Sequence, residues 1–481
     1  MAQPRPLAFQ FNRGMRQDEP REQMVAGAAW NLVDYLPQFG GPLAKRGGWE
    51  YASPDLATVH PSASYVQAVA HAPFEAGAKL CALDEDGELY TVASPSSASH
   101  IGAAVAPLQV PVFHRNRLII PAGDGVSTPK SYDGSTLTTL GGSPPAAQYA
   151  AVYKDRTLLG NTNAEPQRLS FSGPGDPQSW PAAGYIDVSA PIRAIAALRS
   201  AVLVWSDGRT ERIRGATPPP NTDMVLEPLF DQGCLDARSV ASYGDFVIWA
   251  NQTGVFLTDA ATIIDLTEAG GMSHYWQTLL SGYTSSWTLS AGVYRGYYVL
   301  SIADGPSFKD CLVCDLDRRV WFRLANIRAL TFAPAVGAAA ELYFGDRASA
   351  RVCSFSSVFS PAAGVKEDAD GSAVTPIMET PFTPVQGLLR VRYAYLGYEL
   401  ADAAADRPTL SIGYLTSPAG AAYTTLDDTF GATTGYKRAR AAVRQRAGGF
   451  GFKVTQSGPS ATTLLYGVEL EGHDLEKSRR A

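Results

Sequence analysis

The chain has 481 residues and a net charge of −6, and 45% of its residues are hydrophobic and 10% aromatic. This composition excludes a disordered chain, and the negative charge excludes a general nucleic-acid binder that works by bulk positive charge. No apolar run of about 18 residues occurs, so we expect no membrane span, and the first residues show no secretory-signal pattern. Five scattered cysteines favour a reducing compartment, where they pack as small hydrophobic side chains.

Helical patterns are scarce along the chain. Within residues 16–36, one or two helical turns are predicted around residues 24–36, although Pro20 and Gly27 weaken the pattern. A short helix is predicted over residues 272–280, with a cap near Ser273. The remaining segments have the composition of strands or loops. The predicted fold class is therefore all-β.

Residues 56–357 repeat one pattern, a pair of short strands joined by a polar turn. In one example, residues 80–83 and 89–92 flank the turn Asp-Glu-Asp-Gly. Asp-Gly and Asn-x-x-Gly turns permit the positive φ that tight hairpins need. Such turns fall at or beside Asp155, Asp207, Thr253 and Gly296, at intervals of 43 to 52 residues. That interval predicts a β-propeller of irregular blades, and a β-sandwich array is the alternative because no sequence word repeats.

A boundary is predicted where the composition changes near residue 358. Residues 358–376 are small, polar and turn-rich, which is typical of a linker. Residues 377–475 show longer alternating patterns, which predict a small antiparallel β-sandwich, and residues 476–481 form a charged tail. The alternating sets are Leu410, Ile412 and Tyr414; Phe450, Phe452 and Val454; and Leu464, Tyr466, Val468 and Leu470.

No motif of a known catalytic or cofactor site is present. Cys311 and Cys314 form the one CxxC motif, but it lies inside a predicted strand with no second pair and no nearby histidine, as a zinc site would need. The sequence also lacks HExxH, GxSxG and phosphate-loop patterns. We therefore expect no enzyme activity, no catalytic residues, no metal site and no cofactor.

Two charged clusters have alternative interpretations. Asp368 and Asp370 carry carboxylates that could hold calcium, but the later glutamate of an EF-hand loop is missing, and a solvated linker is favoured. The second cluster is basic and consists of Lys437, Arg438, Arg440, Arg444 and Arg446. It could line a channel or contact an acidic partner. Its four arginines share parity, so they could instead form one solvated strand face.

The N-terminal motifs resemble a known family. Residues 12–20 read Asn-Arg-Gly-Met-Arg-Gln-Asp-Glu-Pro, residues 29–32 read Ala-Trp-Asn-Leu, and residues 41–49 contain Leu-Ala-Lys-Arg-Gly-Gly-Trp. In this order they resemble the opening of the tail nozzle, or tail tubular B, proteins of short-tailed bacteriophages. Looser similarity continues through residues 166–180 and 254–256. This chain departs from the family in its short length and in Gly47, where many members have proline.

The resemblance implies a structural virion protein of the phage tail, assembled in the host cytoplasm. It implies a β-propeller that closes into a cyclic homo-oligomer, expected to be a hexamer, as a nozzle, hub or adaptor around the DNA ejection channel. Genome DNA would pass through the lumen, and partners would be neighbouring tail or adaptor proteins and possible tail fibres. Residues 1–55 would then be an anchoring segment with assembly roles for Pro20, Asn31, Lys45, Arg46 and Trp49, although ordinary fold stability would also explain those residues.

Two other functions fit the sequence. A receptor-binding or glycan-cleaving propeller would need a central pocket with carboxylates and exposed aromatic side chains. Trp205, Trp249 and Trp321 are the candidates for such aromatics, but their apolar context predicts that they are buried in the core. A cellular propeller scaffold is the third possibility, although the missing repeat words and the N-terminal motifs count against it.

Overall fold

The structure is a computed structural model that describes residues 7–9, 13–38, 41–106, 110–305, 307–336, 341–360, 367–400, 409–417, 423–426, 435–457 and 463–474. The regular structure in these ranges is almost entirely β-strand, which confirms the predicted all-β class. The helices are α1 (Leu266–Gly270) and α2 (Ser273–Leu280), and α2 agrees with its prediction. Neither helix is long and apolar enough to cross a membrane, and the described ranges contain no other candidate.

The strands fall into three groups along the chain. The N-terminal strands are β1 (Leu7–Phe9), β2 (Asn31–Val33), β3 (Tyr35–Pro37), β4 (Leu43–Lys45) and β5 (Glu50–Tyr51). The first half of the repeating strands is β6 (Val66–Phe74), β7 (Gly77–Asp84), β8 (Glu88–Ser94), β9 (Ser97–Ala103), β10 (Val112–His114), β11 (Arg117–Ile120), β12 (Lys130–Tyr132), β13 (Leu137–Thr139), β14 (Tyr149–Tyr153), β15 (Arg156–Gly160), β16 (Arg168–Phe171) and β17 (Tyr185–Asp187). The second half is β18 (Ala194–Ala197), β19 (Val202–Trp205), β20 (Thr210–Arg214), β21 (Val225–Phe230), β22 (Ala241–Tyr243), β23 (Phe246–Ala250), β24 (Val255–Thr258), β25 (Ile263–Asp265), β26 (Trp287–Tyr294), β27 (Tyr297–Asp304), β28 (Ser307–Asp315), β29 (Val320–Arg323), β30 (Ala329–Pro334), β31 (Leu342–Asp346) and β32 (Val352–Ser354). The C-terminal strands are β33 (Ile377–Glu379), β34 (Thr383–Leu400), β35 (Thr409–Leu415), β36 (Thr424–Leu426), β37 (Gly435–Ser457) and β38 (Thr463–Asp474).

The repeating strands form the blades of a β-propeller. Six separate four-stranded antiparallel sheets are present, namely β6–β9, β10–β13, β14–β17, β18–β21, β22–β25 and the sheet β30–β31–β32–β5. When the unit β26–β29 is counted with these six sheets, the first strands of successive units begin 37 to 47 residues apart, close to the predicted interval. The first strands β6, β10, β14 and β18 pack in sequence against one another around the axis, and the first strand of the last blade packs against β6. The predicted propeller is therefore confirmed.

The last blade is closed by the N-terminal segment. Its fourth strand is β5, and β5 pairs antiparallel with β32, with Tyr51 opposite Cys353. This pairing joins positions about 300 residues apart, so both ends of residues 50–354 are held in one sheet. The propeller thus includes residues 50–51, which lie in the predicted anchoring segment.

The four strands β26–β29 connect the propeller to the C-terminal strands. Strand β26 packs between β22 and β30, so this unit lies in the ring between the last two separate blades. Its outer strand β29 pairs with β2, where Val33 lies opposite Arg323, and β2 pairs with β33. The C-terminal sheet is thereby hydrogen-bonded to the propeller through the N-terminal segment.

Strand β37 belongs to two C-terminal sheets at once. Its first part pairs with β34 up to Phe450, and its last part, from Gly451, pairs with β35 and β33. The predicted alternation of Phe450, Phe452 and Val454 is confirmed, because all three are fully buried or nearly so. They belong to the same hydrophobic cluster as the side chains of β26–β29, so the core is continuous between the two parts.

Two local predictions are wrong. Residues 24–36 form turns and the strands β2 and β3 rather than a helix, because Trp30 and Asp34 donate backbone hydrogen bonds to Glu379 and Arg323 of distant strands. The alternation predicted through Tyr466 also fails. The register of β38 against β34 shifts by one residue there, so Tyr466 lies outside with 37% exposure while Leu465 is buried.

One ion pair connects neighbouring blades at their turns and makes stability depend on pH. The Arg115 guanidinium and, less strongly, His114 lower the pKa of Asp155 to about 2. A depressed carboxylate pKa stabilises the fold above the unfolded pKa of about 4, and this contribution is lost as the pH falls towards 2. We expect Asp155→Asn to flatten the dependence of the thermal midpoint on pH between about 4 and 2. Equal slopes for the wild type and the variant would contradict this assignment.

Candidate functional site

Arg46, one of the predicted assembly residues, is buried inside the chain with 2% exposure. Its Nε donates to Asp34 Oδ1 at 2.7 Å, and Nη1 and Nη2 donate to the two carboxylate oxygens of Asp368 at 2.7 and 3.0 Å. Burial alone would lower the pKa of Arg46, but the two carboxylates raise it above its ordinary value. Arg46 is therefore held charged between residues of the N-terminal segment and of the segment before β33.

Trp49 is held beside Arg46 by hydrogen bonds and by aromatic packing. Trp49 N–H donates to Asp368 Oδ1 at 3.2 Å, and its Nε1–H donates to the Asn326 carbonyl at 3.2 Å. The Trp49 ring packs edge-on against Tyr51 and Phe344, and both Trp49 and Lys45 are buried. These contacts fasten the predicted anchoring segment to the propeller of its own chain.

Asn31 and Pro20, the other two predicted assembly residues, lie apart from Arg46. Asn31 opens β2, and its Oδ1 accepts from Arg323 Nη1 at 3.2 Å. Pro20 is exposed, and its carbonyl accepts from Gln23 N–H at 2.8 Å in a turn. The structure thus does not bring the five residues together. Lys45, Arg46 and Trp49 are buried, and Asn31 is partly buried. Pro20 is therefore the one of the five whose side chain is exposed at the surface.

The favoured interpretation of Asp368 as part of a solvated linker is wrong. Asp368 is 3% exposed, and its oxygens are taken by Arg46, Trp49 N–H and Asn326 Nδ2. Asp370 accepts from Asn326 and from Arg328 Nη2. These donors occupy the carboxylates, so the residues are arranged as ion-pair partners rather than as calcium ligands.

Within the described residues, no group of three or more metal-ligating side chains comes together. Cys311 and Cys314 are fully buried in β28, and burial raises the pKa of both thiols well above the ordinary value. A buried protonated thiol is a poor nucleophile and a poor metal ligand. The cysteines are therefore core side chains.

The basic cluster lies on β37, at the outer face of the C-terminal sheet. Arg438, Arg440, Arg444 and Arg446 are all exposed, whereas the side chain of Lys437 lies outside the described set. Arg438 forms an ion pair with Glu469 and stacks 4.1 Å above the Tyr395 ring. Arg440 stacks 4.5 Å above the Tyr393 ring. Arg444 has φ of 51°, at the point where β34 and β37 shift register.

These arginines share their face with tyrosines and glutamates that no sequence motif marks. We call it the tyrosine–arginine face, and it consists of Tyr393, Tyr395, Tyr436, Arg438, Arg440, Tyr466, Glu469 and Glu471. Tyr395 Oη donates to Glu471, and Tyr436 packs edge-on against Tyr466 with ring centroids 5.5 Å apart. Tyr436 is 60% exposed. One sequence pattern does indicate this face. Tyr393 and Tyr395 are two residues apart, as are Arg438 and Arg440 on the neighbouring strand, so each pair lies on one side of the sheet.

Comparisons with known proteins do not assign the chain to a family. No protein-family model and no curated protein matches the chain. Solved structures that match include BBS1N in complex with ARL6DN (13% identity, TM-score 0.41, 64% of this chain and 97% of that one) and BamB from Moraxella catarrhalis (13%, 0.38, 72% and 99%). The WD40 β-propeller domain of Doa1 also matches (11%, 0.41, 64% and 96%). These likenesses are weak, and the sheet topology itself defines this chain as a β-propeller protein with an attached C-terminal sheet.

Proposed function

We propose that this chain is a structural protein of a bacteriophage tail, where copies form a ring around the DNA ejection channel as a nozzle, hub or adaptor. The order of the N-terminal motifs supports the assignment to a short-tailed phage. A rigid propeller closed by its own N-terminal strand supports a ring subunit, because identical rigid wedges assemble through repeated contacts of one kind.

The tyrosine–arginine face is the observation that carries the proposal. Tyrosine and arginine are enriched in protein interfaces and among the residues that dominate binding. The face carries both charges, with Arg438 and Arg440 beside Glu469 and Glu471, so it can pair with a complementary patch of another copy. The arginines are also prearranged by stacking on Tyr395 and Tyr393, which reduces the side-chain entropy lost on association.

The proposal is tested by the oligomeric state and its symmetry. We expect the purified chain, alone or with neighbouring tail proteins, to form a closed ring in electron micrographs, with six-fold symmetry by analogy with the family it resembles. Arg440→Glu should weaken self-association by about tenfold or more, since a like charge would meet the acidic part of the partner patch. Sedimentation velocity across a concentration series measures this change.

Arg199→Glu is the matched control, because Arg199 is an exposed arginine in the turn between β18 and β19, far along the chain from the C-terminal sheet. It makes the same charge reversal and should leave the ring intact. A wild-type chain that stays monomeric with and without its neighbours would refute the ring. A ring equally stable with Arg440→Glu would refute the role of this face.

A cavity between the first and last blades gives no support to a glycan-cleaving function. It has a volume of about 420 Å³, and Glu50 is the one carboxylate among its described lining residues. Retaining and inverting glycosidases commonly need two carboxylates. Trp205, Trp249 and Trp321 are fully buried, as predicted, so they present no surface to a sugar. We therefore propose no enzyme activity.

A further inference from the structure

The cavity between the first and last blades has a polar wall that belongs to the last blade. Glu50 of β5 lies opposite Ser354 of β32, and Ser354 lies opposite Tyr343 of β31. Residues directly opposite one another on antiparallel strands point to the same face of the sheet. The three side chains therefore form a row about 10 Å long, across two strand spacings, and all three line the cavity. We call these three residues the polar row.

The facing wall belongs to the first blade and is largely apolar. Leu80 of β7 lies opposite His71 of β6 on one side and Val92 of β8 on the other, and all three line the cavity. Leu80 and Val92 are each 8% exposed. The His71 ring stacks on the Tyr343 ring with centroids 5.9 Å apart, so the two walls touch at the end of the cavity nearest the propeller axis.

The polar row is available to a ligand. Ser357 Oγ donates to Glu50 Oε2 at 2.9 Å, which orients the carboxylate and leaves Oε1 without a partner among the described residues. The hydroxyl groups of Ser354 and Tyr343 have no hydrogen-bond partner within that part of the chain either. Burial raises the pKa of Tyr343, so its hydroxyl group stays protonated at neutral pH and can donate.

His71 adds a hydrogen-bond donor at the inner end of the cavity. The N–H of Val336 donates to His71 Nδ1 at 2.9 Å, so Nδ1 is unprotonated and the proton lies on Nε2. Burial also lowers the pKa of His71, which keeps the imidazole neutral at neutral pH. The cavity therefore combines one carboxylate, two hydroxyl groups and one imidazole N–H with an aliphatic wall.

The charge of the lining excludes anionic ligands. Glu50 is negative, and no lysine or arginine is among the described residues that line the cavity. A phosphorylated or carboxylated ligand would therefore be repelled. Small-molecule sites of about 300–1,000 Å³ usually combine apolar walls with a few oriented polar groups, and this cavity of about 420 Å³ does so.

A sugar ring matches the two walls, because it has an apolar C–H face and a rim of hydroxyl groups that both donate and accept. We propose that this cavity binds an uncharged sugar, with its hydroxyl groups on the polar row and its C–H face on Leu80 and Val92. Glu50 is the one carboxylate of the described lining, so binding without cleavage is expected. This inference does not rest on the proposed function, because the site lies within a single propeller.

The test is a calorimetric titration of the full chain with glucose, galactose, mannose, N-acetylglucosamine, maltose and lactose. We expect saturable binding of at least one of them, and the same sugar should raise the thermal midpoint, because it binds the folded state alone. Glu50→Gln keeps the shape of the side chain but removes its charge, and should weaken binding by about tenfold. Glu75→Gln is the matched control, because Glu75 is exposed in the turn between β6 and β7, outside the lining, and should bind like the wild type.

A second variant fills the cavity without touching the core. Ala78 is exposed and lines the cavity, so Ala78→Trp should abolish sugar binding and leave denaturant unfolding unchanged. Ala76→Trp places the same ring two residues away, in the turn and outside the lining, and should bind sugar like the wild type. This pair separates loss of the site from loss of the fold.

A purified neutral O-antigen polysaccharide, titrated in parallel, distinguishes the two sources of the sugar. Tighter binding of the polysaccharide that is lost in Ala78→Trp would identify a cell-surface glycan, and binding of the small sugars alone would identify a free sugar. Trilysine tests whether Glu50 instead attracts a cation, and binding of trilysine without any sugar would overturn the proposal. Failure of every sugar probe to bind the wild type would also overturn it, as would equal binding by Ala78→Trp.

Discussion

Arg46→Ala is expected to destabilise the fold by about 3–5 kcal/mol, because it leaves buried carboxylates without their counter-charge. Asp34 and Asp368 are 1% and 3% exposed, and the guanidinium is the shared partner of both. The backbone N–H of Ala325 and the amide of Asn326 remain as donors, but neither carries a charge. Denaturant unfolding of the two proteins under identical conditions measures the difference.

The pH dependence of Arg46→Ala identifies charge as the cause. Burial already raises the pKa of Asp34, and Arg46 is the charge that opposes this rise, so without Arg46 the pKa of Asp34 should rise further. The folded state then binds more protons, so the loss of stability relative to the wild type should shrink as the pH falls from neutral towards about 5. A loss that is constant over this range would show that cavity formation, rather than unpaired charge, is responsible.

Two further variants control this experiment. Arg46→Lys keeps a positive charge but cannot bind both carboxylates through a planar fork, so an intermediate loss is expected. Arg199→Ala removes an exposed arginine without an ion pair among the described residues and should change stability by no more than about 0.5 kcal/mol. A loss below about 1 kcal/mol in Arg46→Ala would contradict the structural role given to this residue.

Local sequence patterns predict the blades well, because a hairpin is specified by its own turn and its own alternating side chains. The turns at Asp155 and Gly296 have positive φ at both central positions, as two-residue hairpins require. The closing strand β5 could not be predicted in this way. It is only two residues long, and its partner β32 lies about 300 residues further along, so no local pattern marks it.

The buried ion pairs of Arg46 could not be predicted from local sequence patterns either, because their partners are also far apart along the chain. Asp368 stands in a short stretch of small and polar residues, and such stretches are usually solvated. Its burial depends on Arg46, which is 322 residues away. The N-terminal motif did point to Arg46, but the motif alone did not distinguish a contact with a neighbouring molecule from a contact within the chain. The register shift at Tyr466 could not be predicted from the sequence either. A bulge leaves the composition of a strand unchanged but reverses which of its side chains face the core.

Gly48→Ala is the second variant expected to have a large effect. The backbone of Gly48 passes so close to the next layer that an added Cβ would lie 1.8 Å from the carbonyl oxygen of Glu367 and 2.4 Å from its carbonyl carbon. Both atoms belong to the backbone, so no side-chain rotation can relieve the overlap. The two segments must separate, which would weaken the bond from Ala369 N–H to the Trp49 carbonyl. We expect a loss of about 3 kcal/mol or more in denaturant unfolding.

Gly208→Ala is the matched control for this substitution, because an added Cβ at Gly208 meets no atom within 4 Å. It should leave stability unchanged or raise it by about 0.4–1 kcal/mol, since alanine restricts the unfolded chain. Gly48→Ala should lose the same stability at neutral and mildly acidic pH, unlike Arg46→Ala, because its cause is steric. Both changes separate the same two segments, so the double variant should lose less than the sum of the single losses. Full additivity would show that the two residues act on separate parts of the fold, and the site would then not be the single joint between the N-terminal segment and the propeller described above.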